Sequence, residues 1–520
     1  MIDISRLSPM ELERFIHLQG IVARQANDAD RVRALRLYYD GEHPVLLTAR
    51  QQEFLGPLVD GEEFTFAHNL VKSVVDTLRE RLNVTGFAIA DDVEDNAPEA
   101  QVATLMWQWW EANKMPSQQI RHYRRALRDG MAYIIVAWDN TAQRPIISLH
   151  KLDAGDQEPG VILHRDPEDE NVILYATRYF YTFNPLEPGA TGRQRKTVYL
   201  PGEIRKYIMG KGGTWDEYQD DGDASWPLPW VDSTGQPLGV PVFEFANPGG
   251  SEVSQIIGLQ NLLNKTWLDI AAAADTNGFP LLAVEYNTNG QPIVDDPDLE
   301  GNDELRLSPG RAIEVDDATV KRLEPSNLDP MLNVMRTVVQ TIGGVSRTPS
   351  YYLMPVGGSD VPSGEALKQL ESGLVKRAME RQLVFGQSWS EVMTFCYRLA
   401  LTFGRNIPQA QVDNVNVTWE DPNVRNELTE AQTATIHKGL NVPDDVLWLR
   451  IGYTPEQIAA FKRQQQLDEA TKIATIAGQL RNAQQATQTQ GANNGGTSNT
   501  VQGNADNNDR SAVGSTPAIQ

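Results

Sequence analysis

Apolar positions in residues 64–82, FTFAHNLVKSVVDTLRERL, fall at Leu70, Val74, Val75, Leu78 and Leu82. That spacing of three and four places them on one side of a helix. Residues 1–50 also read as helical, with RVRALRLYYDGEHP closing on a Gly and then a Pro. NVTGFAIA follows as a strand. Residues 100–129 predict two helices broken at Met115-Pro116, with Trp107, Trp109 and Trp110 crowding the first. The segments MAYIIVAWD, RPIISLHKL, NVILYATRYFYTF and KTVYLPGEIRKYIM are rich in β-branched and aromatic residues and are punctuated by Gly or Pro. The first 250 residues therefore read as an α+β body.

The pattern then turns helical. In residues 251–276, Ile256, Leu259, Leu263, Trp267, Ile270 and Ala274 make one stripe, with Ser251 placed as N-cap and Glu252 in the first turn. Residues 278–327 break this periodicity with short β segments, FPLLAVEY and RAIEV, among Pro, Gly and Asp. Residues 329–345 are helical again and are expected to stop at Gly343-Gly344. A loop follows whose SRTPSYYLMPVGGSDVPSG spends Tyr351, Tyr352, Leu353 and Met354 where a surface connection would be polar. It leads into the longest helix, 364–403, about 60 Å at ~1.5 Å per residue. Its stripe runs through Leu367, Leu370, Leu374, Ala378, Phe385, Trp389, Val392, Cys396, Leu399 and Phe403, and Arg381 interrupts it. Gly373 and Gly386 each cost about 1 kcal/mol relative to Ala, which implies either close packing against a neighbour or a kink. Residues 412–421 alternate as a strand, and a small helical group reaches to about residue 481. From 482 the chain lacks large apolar residues and is expected to be disordered.

Composition narrows the function. The 520 residues are 40% hydrophobic, ordinary for a chain with real cores. The single cysteine, Cys396 within TFCYRLAL, excludes an internal disulfide framework and reads as a small buried hydrophobe. MIDISRLSPMELERF has no apolar core region, so no secretory leader is expected. The longest apolar run, MAYIIVAW, is too short to span a membrane, and a soluble protein is expected. Lys and Arg number 46 against 69 Asp and Glu, a net charge of −23. Tight grip on a phosphate backbone needs cations, so contact with DNA is expected to be loose.

Catalytic motifs are missing. The seven histidines show no paired metal spacing. GKGGT carries Gly212 where a phosphate-binding loop needs Ser or Thr, and GGVSRT has Thr348 where a nucleophile elbow needs Gly. The acidic runs DEYQDDGD and DDPDLEGNDE do not fit a calcium loop. No catalytic residue, metal site or cofactor is expected, and the chain reads as a non-enzyme.

The order of elements, with RLYYDGEHP, NLVKSVVDTLRERL, PVFEFANPGG and PSGEALKQLE within it, resembles the portal proteins of tailed bacteriophages, siphovirus type, over residues 30–480. The resemblance implies an α+β ring subunit. Its wing would be residues 1–250 with return segment 404–424, and its stem the helices 251–277 and 328–346. Residues 278–327 would be a small α/β clip, 347–363 a tunnel loop, 364–403 a long kinked helix, 425–481 a helical crown and 482–520 a tail. Roughly twelve copies would close into a ring at one capsid vertex. Through it double-stranded DNA would be packaged and ejected, passing loosely. The clip would dock the terminase motor and later the head–tail connector proteins. Major capsid and scaffolding proteins would be further partners, and the location would be the virion, with host cytoplasm during assembly.

Helices about 10 Å wide, roughly twelve to a ring, leave a bore near 28 Å. A duplex of roughly 20 Å fits with a small gap. Tyr351, Tyr352, Leu353, Met354, Gly357, Gly358, Ser359 and Asp360 of the tunnel loop would face it. The first four offer neutral surface and the glycines let the loop shift; packing of the first four under a neighbouring subunit is the other reading. Two alternatives to a DNA channel stand beside it. One is a carbohydrate-active enzyme with WQWW and WPLPW lining a sugar groove. The other is a generic oligomeric scaffold.

Overall fold

The computed structural model describes residues 7–26, 28–44, 68–89, 97–183, 191–278, 282–286, 318–322, 327–354 and 364–423, together with isolated helical positions between 447 and 477. The chain divides into two compact units, Met1–Arg425 and Asn426–Gln520.

Helices α1 (Pro9–Ala26) and α2 (Ala29–Asp40) open the first unit. The Asp28 carboxylate accepts the Arg31 N–H to start α2, and Gly41, at φ 81°, closes it. Helix α3 (Val71–Arg79) buries Val71, Val74, Val75 and Leu78, as the periodicity predicts. It begins later than 64 because the Asn69 side chain accepts the Val71 and Lys72 N–H groups and so sets its first turn; residues 64–67 lie outside the described residues. Strand β1 (Val84–Ala88) follows, then α4 (Pro98–Ala112) and α5 (Met115–Asp129). The break between them is at Lys114, whose φ is 56°, and Pro116 sits in the first turn of α5, where its missing N–H costs nothing.

Strand β2 (Met131–Asp139) is the centre of a three-stranded antiparallel sheet. Ile134 pairs with Leu149 of β3 (Arg144–Lys151) on one side and with Phe243 on the other. All of Ala132–Val136 is buried, because α5 covers one face and a later helix the other. A second antiparallel sheet is built from β4 (Val161–Arg165), β5 (Ile173–Phe183), β6 (Thr191–Tyr199), β7 (Glu203–Met209), β8 (Trp215–Glu217) and β9 (Leu228–Pro229), with β9 pairing on β7. KTVYLPGEIRKYIM is thus two strands turning at Pro201-Gly202. Ile16 of α1 packs with Leu174, Tyr175, Val198, Leu200 and Tyr207 of this sheet. Strand β10 (Val242–Ala246) returns to β2.

Helix α6 is Ile257–Gly278, so it starts six residues after the expected Ser251. Residues 252–256 form turns, because Glu252 is drawn inward as the counter-ion of two arginines. Within the expected stripe Ile256, Leu263 and Ile270 are buried, whereas Ala274 is exposed. Strands β11 (Leu282–Tyr286) and β12 (Ala318–Arg322) pair antiparallel, Val284 opposite Val320. RAIEV, expected as a strand at 311–315, lies outside the described residues. Helix α7 is Asp329–Ser346 and packs against α6; it runs past Gly343-Gly344 rather than stopping there, and ends at Arg347, φ 48°.

Helix α8 spans Gly364–Phe403, as the pattern predicts. Leu374, Ala378, Phe385, Trp389, Val392, Cys396 and Leu399 are fully buried, but Leu370 is 53% exposed, so the buried stripe begins one turn later than expected. A Cβ on Gly386 would stand 3.2 Å from Trp419 Nε1, and one on Gly373 3.6 Å from Arg347 Cβ. Close packing explains Gly386, while Gly373 meets its neighbour at ordinary contact distance, and helical structure continues across both. Strand β13 (Asn416–Trp419) closes on β1. Trp110 meets Trp389 edge-on at 4.7 Å, and Trp389 Nε1 donates to the Tyr123 hydroxyl at 2.8 Å. Trp109, Trp110 and Trp230 are buried and Trp107 packs on the same core, which removes them from a sugar groove. Among the described residues no helix is long and apolar enough to cross a membrane. In the second unit Leu447 and Ile458 are buried and the Trp448 and Phe461 rings meet at 5.6 Å; residues 482–520 lie outside the described residues.

Candidate functional site

The loop between α7 and α8 is built from its first turn upward. Arg347 adopts the left-handed conformation, and the Thr348 N–H reaches back to the Gly343 carbonyl at 2.9 Å. Gly343 permits this closure: a Cβ there would lie 2.9 Å from the Thr348 carbonyl oxygen. Pro349 then leads into a 3-10 turn, Ser350–Tyr352, and the Leu353 and Met354 N–H groups both return to the Ser350 carbonyl, at 3.0 and 2.9 Å.

This turn directs its side chains into the chain itself. Leu353 is buried, and Tyr352 and Met354 pack on the main hydrophobic core. The Tyr351 and Tyr352 rings lie 4.5 Å apart, and both hydroxyls donate to Glu371 Oε1 on α8, Tyr352 at 2.9 Å. Arg81, just beyond α3, donates to the Tyr352 hydroxyl at 2.8 Å, stands 3.4 Å from Glu371 Oε1, and also donates to the Pro422 carbonyl at 2.8 Å. Burial, and then the hydrogen bond to Glu371, push the Tyr351 phenol well above its ordinary range, so it stays a donor. Two phenols, one carboxylate and one guanidinium thus tie the loop base to α8, to the end of α3 and to the return segment.

A second polar knot lies further along α8. Glu252 is buried; it accepts from Arg377, from Arg381 at 2.9 Å and from Asn247 Nδ2 at 3.0 Å. Arg381 also donates to Asn247 Oδ1 at 3.1 Å and to the Pro248 carbonyl at 3.0 Å. The arginine that interrupts the apolar stripe therefore clamps the turn before α6 to the long helix.

Of the eight expected loop residues, Tyr351, Tyr352, Leu353 and Met354 are described and share this anchored turn; Gly357, Gly358, Ser359 and Asp360 lie outside the described residues. Glu371 and Arg81 were not singled out from the sequence. Each sits in an ordinary charged helical string, KQLES or RERL, and the separation between Arg81 and Glu371 carries no local signal. Among the described residues no group of three His, Cys, Asp or Glu side chains could hold a metal ion. Cys396 is buried and its thiol is pushed up by that burial, away from the reactive thiolate.

Comparison with known proteins adds four findings. Residues 18–471 match the family model described as phage portal protein, SPP1 Gp6-like. The portal protein of Mycobacterium phage L5 is 23% identical over 466 residues, covering 84% of this chain and 86% of that protein. That of Mycobacterium phage D29 is 24% identical over 419 residues, covering 76% and 77%. Among solved structures, a chain from the neck of an empty gene transfer agent particle aligns over 79% of this chain and 96% of its own, at 10% identity and a TM-score of 0.39.

Proposed function

Because the chain belongs to the phage portal protein family, SPP1 Gp6-like, we propose that it closes with copies of itself into a ring through which double-stranded DNA enters and leaves the capsid. It is a portal protein of the virion, and a structural one; we assign it no catalytic step. The ring holds roughly twelve copies. Residues 1–250 and 404–424 form its wing, the helices within 251–277 and 328–346 its stem, 278–327 its clip and 425–481 its crown. The clip is where the terminase motor docks, followed by the head–tail connector; the capsid and scaffolding proteins meet the ring at the vertex. Assembly takes place in the host cytoplasm.

The observation that carries this division is the path of the chain through the stem. Helices α6 and α7 pack on each other, and the described residues between them include an antiparallel strand pair, β11–β12. A module that leaves from and returns to adjacent helices is one that can project from them. The loop that follows, 347–363, faces the duplex in this reading. Tyr351, Tyr352, Leu353 and Met354 form its anchored shoulder, bound into the subunit's own core, and Gly357, Gly358, Ser359 and Asp360 the part that slides along DNA. An acidic chain with few phosphate grips suits passage better than retention.

Electron microscopy of the purified chain tests this reading. Rings of roughly twelve subunits with a central hole wide enough for a ~20 Å duplex are expected. A uniform population of single chains, or rings too narrow for DNA, would overturn it.

A further inference from the structure

One feature of the α+β body runs against its overall charge. A cleft of about 810 Å³ opens beside α2 and α5. Helix α5 contributes Arg121, Arg124, Arg125 and Arg128, spaced so that all four fall on one face, opposite the buried Met115, His122, Ala126 and Leu127. Helix α2 adds Arg33 and Arg36, and β3 adds Lys151. Seven cationic side chains line the cleft against three carboxylates, in a chain whose net charge is −23.

Glu158 and the acids just behind the cleft wall are already shared, and Arg33 pairs with Asp30. Asp129 is buried and binds both Arg36, at 2.9 Å, and Arg128, at 2.6 Å. Glu158 is divided between Arg36 and Lys151. Arg124 stands 3.6 Å from Asp76, which Arg79 and the Tyr39 hydroxyl also approach. Among the described residues Arg121 and Arg125 have no carboxylate at ion-pair distance; the one hydrogen bond of Arg125 is to the Leu149 carbonyl, at 3.4 Å. Burial, and then the nearby Arg121 and Arg128, pull the Arg125 guanidinium down to about 10. Arg121 and Arg125 thus stand in the cleft without a carboxylate partner among the described residues.

We propose that this cleft receives an acidic segment of a second copy of this chain, whose carboxylates pair with Arg121 and Arg125. The proposal rests on the ring assembly of the preceding section. Arginine forks match carboxylates two hydrogen bonds at a time. A concave seat suits a peptide, whereas a duplex, a convex cylinder about 20 Å across, meets only its rim. Asp40, Glu42 and Glu158 on the same walls oppose the long run of phosphates along a duplex but leave room for a short acidic strand set between the arginines. A neighbouring copy carries the matching excess, 69 acidic against 46 basic residues. Like-charged chains that close on one another need such local complementarity.

The test uses the full-length chain, an Arg121→Gln/Arg125→Gln variant, and Lys211→Glu at an exposed turn as control. Labelled hexaglutamate and a short DNA duplex are titrated by fluorescence anisotropy, and ring formation is followed by sedimentation at low and high salt. Hexaglutamate is expected to bind the wild type, more weakly as salt rises, and to bind the double variant about tenfold more weakly. The double variant is also expected to need about tenfold more protein to form rings, with Lys211→Glu behaving as wild type. Because neither arginine has a carboxylate partner among the described residues, the unassembled variant should melt no lower than wild type. A lower melting point overturns the claim that these charges are unpaired. Failure of hexaglutamate to bind, or assembly indifferent to the double variant, overturns the proposal. Duplex binding that is tighter than hexaglutamate and lost in the variant overturns it in favour of phosphate. A wild type that never closes into rings sinks the assembly reading, whereas wild-type rings matched by the variant sink only the cleft.

Discussion

Lys196 shows how much one side chain can be shifted by where the fold puts it. It lies on β6, buried, with Nζ 2.9 Å from His17 Nδ1 and 4.6 Å from the centre of the Tyr207 ring. His17 Nε2 in turn stands 3.0 Å from Glu13 Oε1, so a polar chain ties α1 to the sheet. Burial brings the Lys196 ammonium down to about 7, with Glu13 opposing the shift. For Glu13, burial alone would raise the carboxyl, yet hydrogen bonds from His17, Tyr207 and Arg205 hold it at about 2. The two have opposite consequences. Glu13 contributes stability that is present above its unfolded value and lost as pH falls through about 2. Lys196 in the unfolded chain keeps its ordinary value of about 10.5. Between that value and about 7 the unfolded chain binds more protons than the folded one, so stability falls as pH drops across this window and the penalty is complete below it. Lys196→Met should therefore raise the melting temperature at pH ~6 and lose that advantage by pH ~10. Equal gains at both pH values would show that shape, not charge, is responsible.

At the scale of elements, the clamp between α8 and the turn before α6 makes a sharper demand. The Arg377 and Arg381 side chains are only 7% and 6% exposed and share the Glu252 carboxylate. Glu252→Gln leaves Arg377 without a carboxylate among the described residues and Arg381 with only the exposed Glu380. Removing one partner of a buried pair costs about 3–5 kcal/mol, and an unfolding free energy lowered by that amount, read as a lower denaturant midpoint, is the expected result. An unchanged midpoint would mean that the pair contributes nothing. The same clamp explains what the sequence hides. The limits of α8 were legible because its apolar stripe is long and Gly or Pro flanks it. The start of α6 was not: Ser251 followed by Glu252 has the form of a helix start, and only the distant arginines turn Glu252 inward. The eleven tryptophans divide the same way. Trp389 announces itself by its place on a helical stripe, while Trp109 and Trp110 reveal their burial only through the elements they meet. Strand segments were readable from β-branched runs, but the pairing of β10 with β2 is a contact across a hundred residues that local pattern does not encode.

For the whole molecule, the loop after α7 is fixed at its base. Glu371 holds the Tyr351 and Tyr352 hydroxyls, Arg81 braces the same carboxylate, and Leu353 is buried, so residues 351–354 are bound into the subunit's own core. In a ring this would carry any force on residues 355–363 directly into the long helix and the return segment. Deleting through the anchor would confound two effects, because the loss of Leu353 alone would disturb the core. Deleting residues 355–360 separates them. The anchored turn remains, the subunit should melt as wild type does, and rings should form with their usual hole. Packaging or retention of DNA should fall, because the residues proposed to fill the gap between duplex and wall are gone. Capsids assembled with this variant should hold less DNA than wild type by nuclease protection, with ring yield unchanged by microscopy. Normal filling would remove residues 355–360 from the channel's working surface, and loss of rings would make them part of the subunit interface instead.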